Sequence, residues 1–203
     1  MNILLIHGLG RTPLSMWSLG RTLRDAGHMP QVFGYVTLLQ SFDEIAARLR
    51  DRLHELSKQG HYGIVSHSMG GILTRAALAQ VDFPLPAHVV MLAPPNQSPL
   101  AGRLAHRLLP FRWFAGQSGD NLASEDFYAQ LPVLTCPYTI IAGTVGANGT
   151  LSPFNDEAND LIVAVKEVKM KPDDEIVQVA AVHSFIMNHA DVRSLTVSAF
   201  AAF

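Results

Sequence analysis

The sequence predicts an α/β fold, with a mostly parallel sheet of about six strands and helices on both faces. Apolar runs of strand length alternate along the chain with stretches of helical period, a pattern typical of buried parallel strands joined by helical crossovers. No linker rich in Pro, Gly or Ser divides the chain, and no internal repeat occurs. With 203 residues, of which 48% are hydrophobic and 16% charged, the chain can bury one sizeable core. We therefore expect a single domain over residues 1–203.

Six apolar runs have the length of strands and are bounded by polar residues, glycine or proline. They cover residues 3–7, 30–35, 62–66, 88–93, 138–142 and 176–182. Helical patterns fall between them at 13–26, 42–58 and 69–80. The second helix shows the clearest period, because Ile45, Leu49 and Leu53 share one face while charged residues such as Arg48 and Asp51 face water.

Residues 94–132 form an irregular excursion after the fourth predicted strand. One side of this segment is apolar, with Leu100, Leu104, Leu108, Leu109, Phe111, Trp113 and Phe114. The other side carries Arg103, Arg107 and Arg112. Such an amphipathic pattern suits a lid that binds an acyl chain, and equally a crossover helix that packs on the sheet.

Composition argues against several classes of partner and site. The formal net charge of −2 provides no positive field for nucleic acid or an anionic membrane. No apolar run reaches the length of about 18 to 20 residues that spans a bilayer, and the N-terminus shows no secretory signal. The single cysteine, Cys136, suggests a buried thiol, and we expect a cytoplasmic protein. The nine histidines show no metal-ligand spacing, and the chemistry considered below needs no cofactor.

The stretch SHSMGG, residues 66–71, lies where the third strand should turn sharply into a helix. Such a turn projects the hydroxyl of Ser68 above the carboxyl edge of the sheet, where α/β proteins bind ligands. The tight approach of strand and helix requires small residues on either side, which Ser66, Gly70 and Gly71 provide. Ser68 is therefore a candidate nucleophile.

A serine hydroxyl needs a base, and histidine has a pKa suited to neutral pH. His183 follows the last predicted strand and so should lie at the same edge as Ser68. His189 is the alternative, unless it only caps or packs beside the last helix. His67 lies inside the turn, where a histidine is expected to pack behind the turn and point away from the active face.

A carboxylate must then orient the histidine and stabilise its imidazolium form. Asp160, which follows the fifth predicted strand, is the candidate. Asp156 and Glu157 are close enough in sequence to compete, and a loop carboxylate is often only solvated or a helix cap.

Four separated motifs in this order resemble the α/β-hydrolase family, and in particular its small lipases and esterases with a minimal cap. The motifs are LLIHGLG, SHSMGG, NDLIV and VHSFIMNHADV. The resemblance implies Ser68 as nucleophile, Asp160 as acid and His183 as base, in the chain order that this fold uses. It departs at Ser66, where the family has glycine, although another small side chain satisfies the steric need.

The resemblance also implies that the backbone amides of Leu9 and Met69 form the oxyanion hole. Read without the resemblance, HGLG is a glycine-rich turn after a strand, and it lacks the spacing of a nucleotide-binding loop. We expect His7 to brace this loop by hydrogen bonding.

These residues predict a serine hydrolase that cleaves a small-molecule carboxylic ester through an acyl-enzyme on Ser68. An acyltransferase or a thioesterase would use the same groups. A hydrolase-fold protein that binds a ligand without turning it over is the alternative from another class.

Overall fold

Six parallel strands form one sheet in the computed structural model, which describes residues 1–98, 124–150 and 152–203. The strands are β1 (Asn2–Ile6), β2 (Met29–Phe33), β3 (Tyr62–His67), β4 (His88–Leu92), β5 (Tyr138–Gly143) and β6 (Ile176–Val179). All five neighbouring pairs are parallel, in the order β2-β1-β3-β4-β5-β6. The predicted fold class is confirmed, and all six predicted strands are present. Their bounds differ from the predicted ones by one or two residues, except that the last strand ends at Val179 instead of residue 182.

The helices of the described residues fall in and after the predicted stretches. They are α1 (Trp17–Asp25), α2 (Phe42–Ser57), α3 (Met69–Ala77), α4 (Glu125–Gln130) and α5 (Ala190–Ala199). Shorter 3-10 helices occupy Pro13–Met16, Val165–Val168 and His183–Asn188. The start of α2 is fixed by a capping box, in which Ser41 Oγ accepts from the Glu44 amide and the Glu44 carboxylate accepts from the Ser41 amide.

Alternating side chains of the central strands point into two separate cores. On β1, Leu4 and Ile6 join the cluster that contains the apolar faces of α2 and α3. Ile3 and Leu5 join the opposite cluster, with the apolar residues of α1 and α5. Burial on both faces explains why β1 and β3 read as continuous apolar runs rather than alternating ones.

Part of the excursion after β4 lies within the described residues. Residues 94–98 and 124–132, which include α4, are described, whereas the apolar and arginine positions between 100 and 114 lie outside the described residues. Cys136 is buried and free, and burial raises the pKa of its thiol. Over the described ranges, no helix combines the length and apolarity needed to cross a membrane.

The strand order sets the place of the site. The chain moves from β1 outward to β2 and then returns to the other side of β1 with β3. The connections therefore leave the carboxyl ends of β1 and β3 in opposite directions, which opens a crevice between them. His7 and Gly8 follow β1, and Ser68 follows β3, so both sequence motifs border this crevice.

Candidate active site

Ser68 occupies a strained turn between β3 and α3. Its backbone has φ of 52° and ψ of −123°, a combination that non-glycine residues rarely adopt. The Ser68 amide donates to the carbonyl of Leu92 at the end of β4, 2.9 Å away, which ties the turn to the sheet. This is the sharp strand-to-helix corner that the sequence predicts for Ser68.

Small residues make the corner possible, as expected. A β-carbon added to Gly70 would lie 2.8 Å from the carbonyl oxygens of both Ile6 and His7, so any larger residue would push α3 away from β1. Ser66 is fully buried, and its hydroxyl has no hydrogen-bond partner. A small side chain is therefore what the position needs, and the hydroxyl itself contributes no bond there.

His183 meets Ser68 from the loop that follows β6. Its Nε2 lies 2.9 Å from Ser68 Oγ, and its side chain is buried. The chain reaches this position because β6 ends early: the Ala181 amide turns back to the Val179 carbonyl, and His183 then begins a 3-10 helix. The shortened strand thus has a structural reason, since a longer β6 would carry His183 past Ser68.

Asp160 completes the set on the far side of the imidazole. Its Oδ2 lies 2.7 Å from His183 Nδ1, while its Oδ1 accepts from the amides of Ile162 and Val163 at 3.0 and 2.8 Å. The His183 amide also donates to the Asp160 carbonyl at 2.9 Å. With Nδ1–H donating to the carboxylate, Nε2 is left as the acceptor for the Ser68 hydroxyl.

The competing residues lie elsewhere. Asp156 is exposed, and Glu157 pairs with Lys166 at 3.4 Å. His189 is the residue before the first turn of α5, where its Nδ1 lies 3.9 Å from Asp191. The structure thus brings Ser68, His183 and Asp160 together and leaves the alternatives outside the cluster.

The two expected oxyanion amides belong to residues next to Ser68 or on a loop packed against it. Met69 is the first residue of α3, so its amide has no acceptor within the helix and points out of the helix N-terminus. Leu9 follows Gly8, which approaches Ser68 closely: a β-carbon on Gly8 would lie 3.1 Å from Ser68 Cβ. The loop that carries the Leu9 amide is therefore packed against the serine.

His7 braces this loop. Its Nδ1 donates to the Gly8 carbonyl at 3.0 Å, and its Nε2 accepts from the Tyr35 amide at 3.5 Å. The Tyr35 ring stacks on the imidazole, with ring centroids 4.2 Å apart, and its hydroxyl donates to the His7 carbonyl at 2.7 Å. Burial lowers the pKa of His7, so the neutral ring is favoured. The bracing was expected from the sequence, but the part played by Tyr35 was not.

His67 packs behind the turn as predicted, yet it also touches the candidate base. Its Nε2 donates to the carbonyl of His183 at 3.0 Å, and the two rings lie 5.0 Å apart. Its Nδ1 is buried without a partner, and Gly8 leaves room for it. Burial, and next the neighbouring His183, hold the pKa of His67 well below its usual range. A neutral imidazole therefore supports the His183 loop.

The depressed pKa of His67 predicts acid sensitivity. At a pH between its folded value and the value of about 6.5 for an exposed imidazole, the unfolded chain binds more protons than the folded one. The free energy of unfolding should therefore fall as the pH drops below about 6.5, by up to about 1.4 kcal/mol per pH unit from this group. We expect His67→Gln, which keeps a side-chain donor, to make the free energy of unfolding less dependent on pH when it is measured by urea unfolding. His61→Gln is the control, because His61 is exposed and its replacement should leave the pH dependence as it is. If His67→Gln also left the slope of unfolding free energy against pH unchanged, a buried neutral His67 would be contradicted.

Two residues near the site have contacts that the sequence does not predict. Asn159 is fully buried, donates to the carbonyls of Ala147 and Glu157, and accepts from the amide of Leu161, which shapes the loop before Asp160 reaches His183. Arg11 donates to the carbonyl of Ser184 at 2.9 Å, beside His183. These contacts join loops that are distant from each other in the chain or depend on the shape of a loop, so no sequence pattern indicates them.

Comparison with solved structures shows the same fold in other proteins. At a TM-score of 0.65 and 16% identity, 84% of this chain aligns with 46% of phospholipase PlaB from Legionella pneumophila, so the chain spans less than half of that protein. An extracellular alpha/beta-hydrolase from a Paenibacillus species matches with a TM-score of 0.63 and 16% sequence identity, with 98% of each chain covered. The RedJ thioesterase of prodiginine biosynthesis in Streptomyces coelicolor matches with a TM-score of 0.63 and 17% sequence identity. The match covers 99% of this chain and 85% of the RedJ chain.

Sequence comparison gives the family more directly. No curated protein matches the chain significantly in sequence. The sequence profile of the family described as the alpha/beta hydrolase family, however, matches residues 3–187, from the second residue of β1 into the 3-10 helix that begins at His183. Both the match and the six-stranded parallel sheet show that this chain belongs to the alpha/beta hydrolase family.

Proposed function

We propose that this hydrolase cleaves carboxylic esters through an acyl-enzyme formed on Ser68. His183 takes the proton of the Ser68 hydroxyl as Oγ attacks the carbonyl carbon, and it then gives that proton to the departing alcohol. Asp160 holds the imidazole in the required tautomer and stabilises its charged form. Water then attacks the acyl-enzyme with His183 again as the base, which releases the acid and restores the serine.

One observation carries this proposal: the continuous hydrogen-bonded path from Ser68 Oγ through His183 to Asp160, at 2.9 and 2.7 Å. Each oxygen of the Asp160 carboxylate is hydrogen-bonded, Oδ2 to His183 and Oδ1 to two backbone amides, so turning the carboxylate would break the two backbone bonds. The amide of Met69, the residue after the serine, and the amide of Leu9, on the loop packed against it, would be the donors for a developing oxyanion, each worth a factor of about 100 to 1,000 in rate.

An apolar surface around the crevice supports an acyl or otherwise hydrophobic substrate. Large apolar side chains are exposed on the loops after β1, β2 and β6, at Leu14, Val36, Leu38, Leu39 and Phe185. A cavity of about 430 Å³ opens between the first two of these loops and includes Leu9. Exposed apolar residues around a concave site are typical of ligand binding.

Thioester cleavage and acyl transfer use the same steps with a different leaving group or acceptor, and the similar RedJ protein is described as a thioesterase. A protein that only binds its ligand has no need for the buried hydrogen-bonded path to the Ser68 hydroxyl. That path favours an enzyme over a binding protein.

Steady-state assays on matched substrates test the proposed reaction. The purified protein is assayed with nitrophenyl esters of short and long acyl chains and with acyl thioesters of the same chains. We expect saturable turnover of at least one ester series, with a kcat/KM that exceeds the thioester value. Preferred thioester cleavage would change the substrate class, while tight binding of an intact ester without turnover would replace the enzyme with a binding protein.

A further inference from the structure

The described lining of the cavity beside the candidate oxyanion loop carries one permanent charge. The cavity is lined on one side by residues 9–13 and on the other by residues 35–38. Leu9, Pro13, Val36 and Leu38 make the lining largely apolar, and among the described residues that line it Arg11 is the only Lys, Arg, Asp or Glu. Leu9, whose amide is a candidate oxyanion donor, belongs to this lining, so the cavity adjoins the loop that is packed against Ser68.

Arg11 is held in place at this position. Its amide donates to the Gly8 carbonyl at 3.2 Å, and its Nη2 donates to the Ser184 carbonyl at 2.9 Å. The guanidinium lies over the Phe185 ring, 5.5 Å from the ring centroid. Its Nε is buried and has no hydrogen-bond partner. A ligand therefore cannot reach Nε, but Nη1 forms no hydrogen bond within the described residues and is not among the buried atoms without a partner, so its donors are open to an incoming carboxylate.

No carboxylate of the described residues compensates this charge. Arg11 takes part in none of the ion pairs within 4.0 Å that the described residues form. The sequence has no Asp or Glu at 1–24, 26–42 or 176–190, which include the loops after β1, β2 and β6. Nearby on the loop after β5, Asp160 is bound to His183 and Glu157 pairs with Lys166.

The charge of Arg11 also reaches the catalytic cluster, since it helps to lower the pKa of the buried His67. A single guanidinium in a largely apolar lining complements one negative charge, and its planar fork matches the two oxygens of a carboxylate. Phosphate would bring a second negative charge for which the described lining offers no second cation.

We propose that Arg11 makes this enzyme selective for amphiphilic esters that carry a carboxylate away from the scissile bond. The inference rests on the proposed ester hydrolysis and names the substrate class of that same site. Arg11 acts as a specificity residue: its guanidinium binds the carboxylate while the apolar walls bind the chain next to it, and the reacting carbonyl remains at Ser68.

Three esters of equal chain length test the proposal. The neutral reference is 2-nitrophenyl hexanoate, the 2-nitrophenyl monoester of hexanedioic acid places a carboxylate on the acyl side, and 5-carboxy-2-nitrophenyl hexanoate places it on the leaving group. We expect kcat/KM for one carboxylate ester to exceed that of the neutral ester by about 10 to 100 fold. In Arg11→Gln, whose amide can still donate to Ser184, this ratio should fall to about one, mainly through KM.

Arg21→Gln is the matched control, because it removes the same charge from an exposed arginine on α1 and should leave the ratio unchanged. A ratio near one in the wild-type protein would overturn the proposal and leave ester hydrolysis standing. An equal loss on all three esters in Arg11→Gln would show a purely structural role for Arg11. If none of the esters is turned over, including the neutral one, the proposed function fails as well. Calorimetric binding of the same esters to Ser68→Ala provides a second readout, in which the carboxylate ester should bind more tightly only while Arg11 is present.

Discussion

Ser68→Ala should reduce kcat for ester hydrolysis by a factor on the order of 10⁶ while the protein stays folded. The alanine removes the atom that His183 Nε2 contacts at 2.9 Å and with it the proposed route to an acyl-enzyme. Loss of a serine nucleophile or its histidine base costs this much because the two act as a unit. The residual rate would come from the oxyanion amides and substrate binding alone.

Ser66→Ala is the matched control for this variant. Ser66 lies two residues earlier on β3, and its buried hydroxyl has no partner, so the change removes no hydrogen bond. We expect full activity and an unchanged or slightly higher free energy of unfolding. Substantial esterase activity in Ser68→Ala, or an equal loss in both variants, would contradict the assignment of the nucleophile.

Asp160→Asn should lower kcat by about 10⁴ for a reason that the local hydrogen bonds define. The amides of Ile162 and Val163 donate to one carboxylate oxygen and would fix the asparagine oxygen at that place. The asparagine NH₂ would then face His183 Nδ1, which must become the acceptor. The proton moves to Nε2, the wrong tautomer for accepting the Ser68 proton.

The nearby exposed carboxylate at Asp156 provides the control, since Asp156→Asn should leave kcat within about twofold of the wild type. Urea unfolding separates a catalytic loss from a structural one, because Asp160→Asn keeps the two backbone bonds. If Asp156→Asn proves the more damaging change, the acid has been assigned to the wrong residue.

Periodicity and motif order were sufficient to predict the fold and the position of the sheet edge. Six apolar runs became six parallel strands because burial on both faces demands continuous apolar sequence. The steric demands of the turn at Ser68 also appear in the sequence, since Gly70 lies where any β-carbon would strike β1. The catalytic roles of Ser68, Asp160 and His183 stay predictions until they are measured.

Other features depend on contacts between loops that are distant in sequence. Arg11 and Ser184 are separated by 173 positions, and no local pattern announces their hydrogen bond. His67 looked like a histidine that only packs behind the turn, yet it supports the His183 carbonyl across 116 positions. The early end of β6 likewise follows from the need to turn His183 toward Ser68, which residue propensities within the strand do not encode.

The mass of the intact protein after treatment with a fluorophosphonate, followed by peptide mapping, tests the central claim most directly. The account predicts one adduct per chain, located on Ser68, with loss of ester hydrolysis in proportion to labelling and no adduct on Ser68→Ala. An active protein that takes up no label, or a label that maps to a residue other than Ser68, would contradict it.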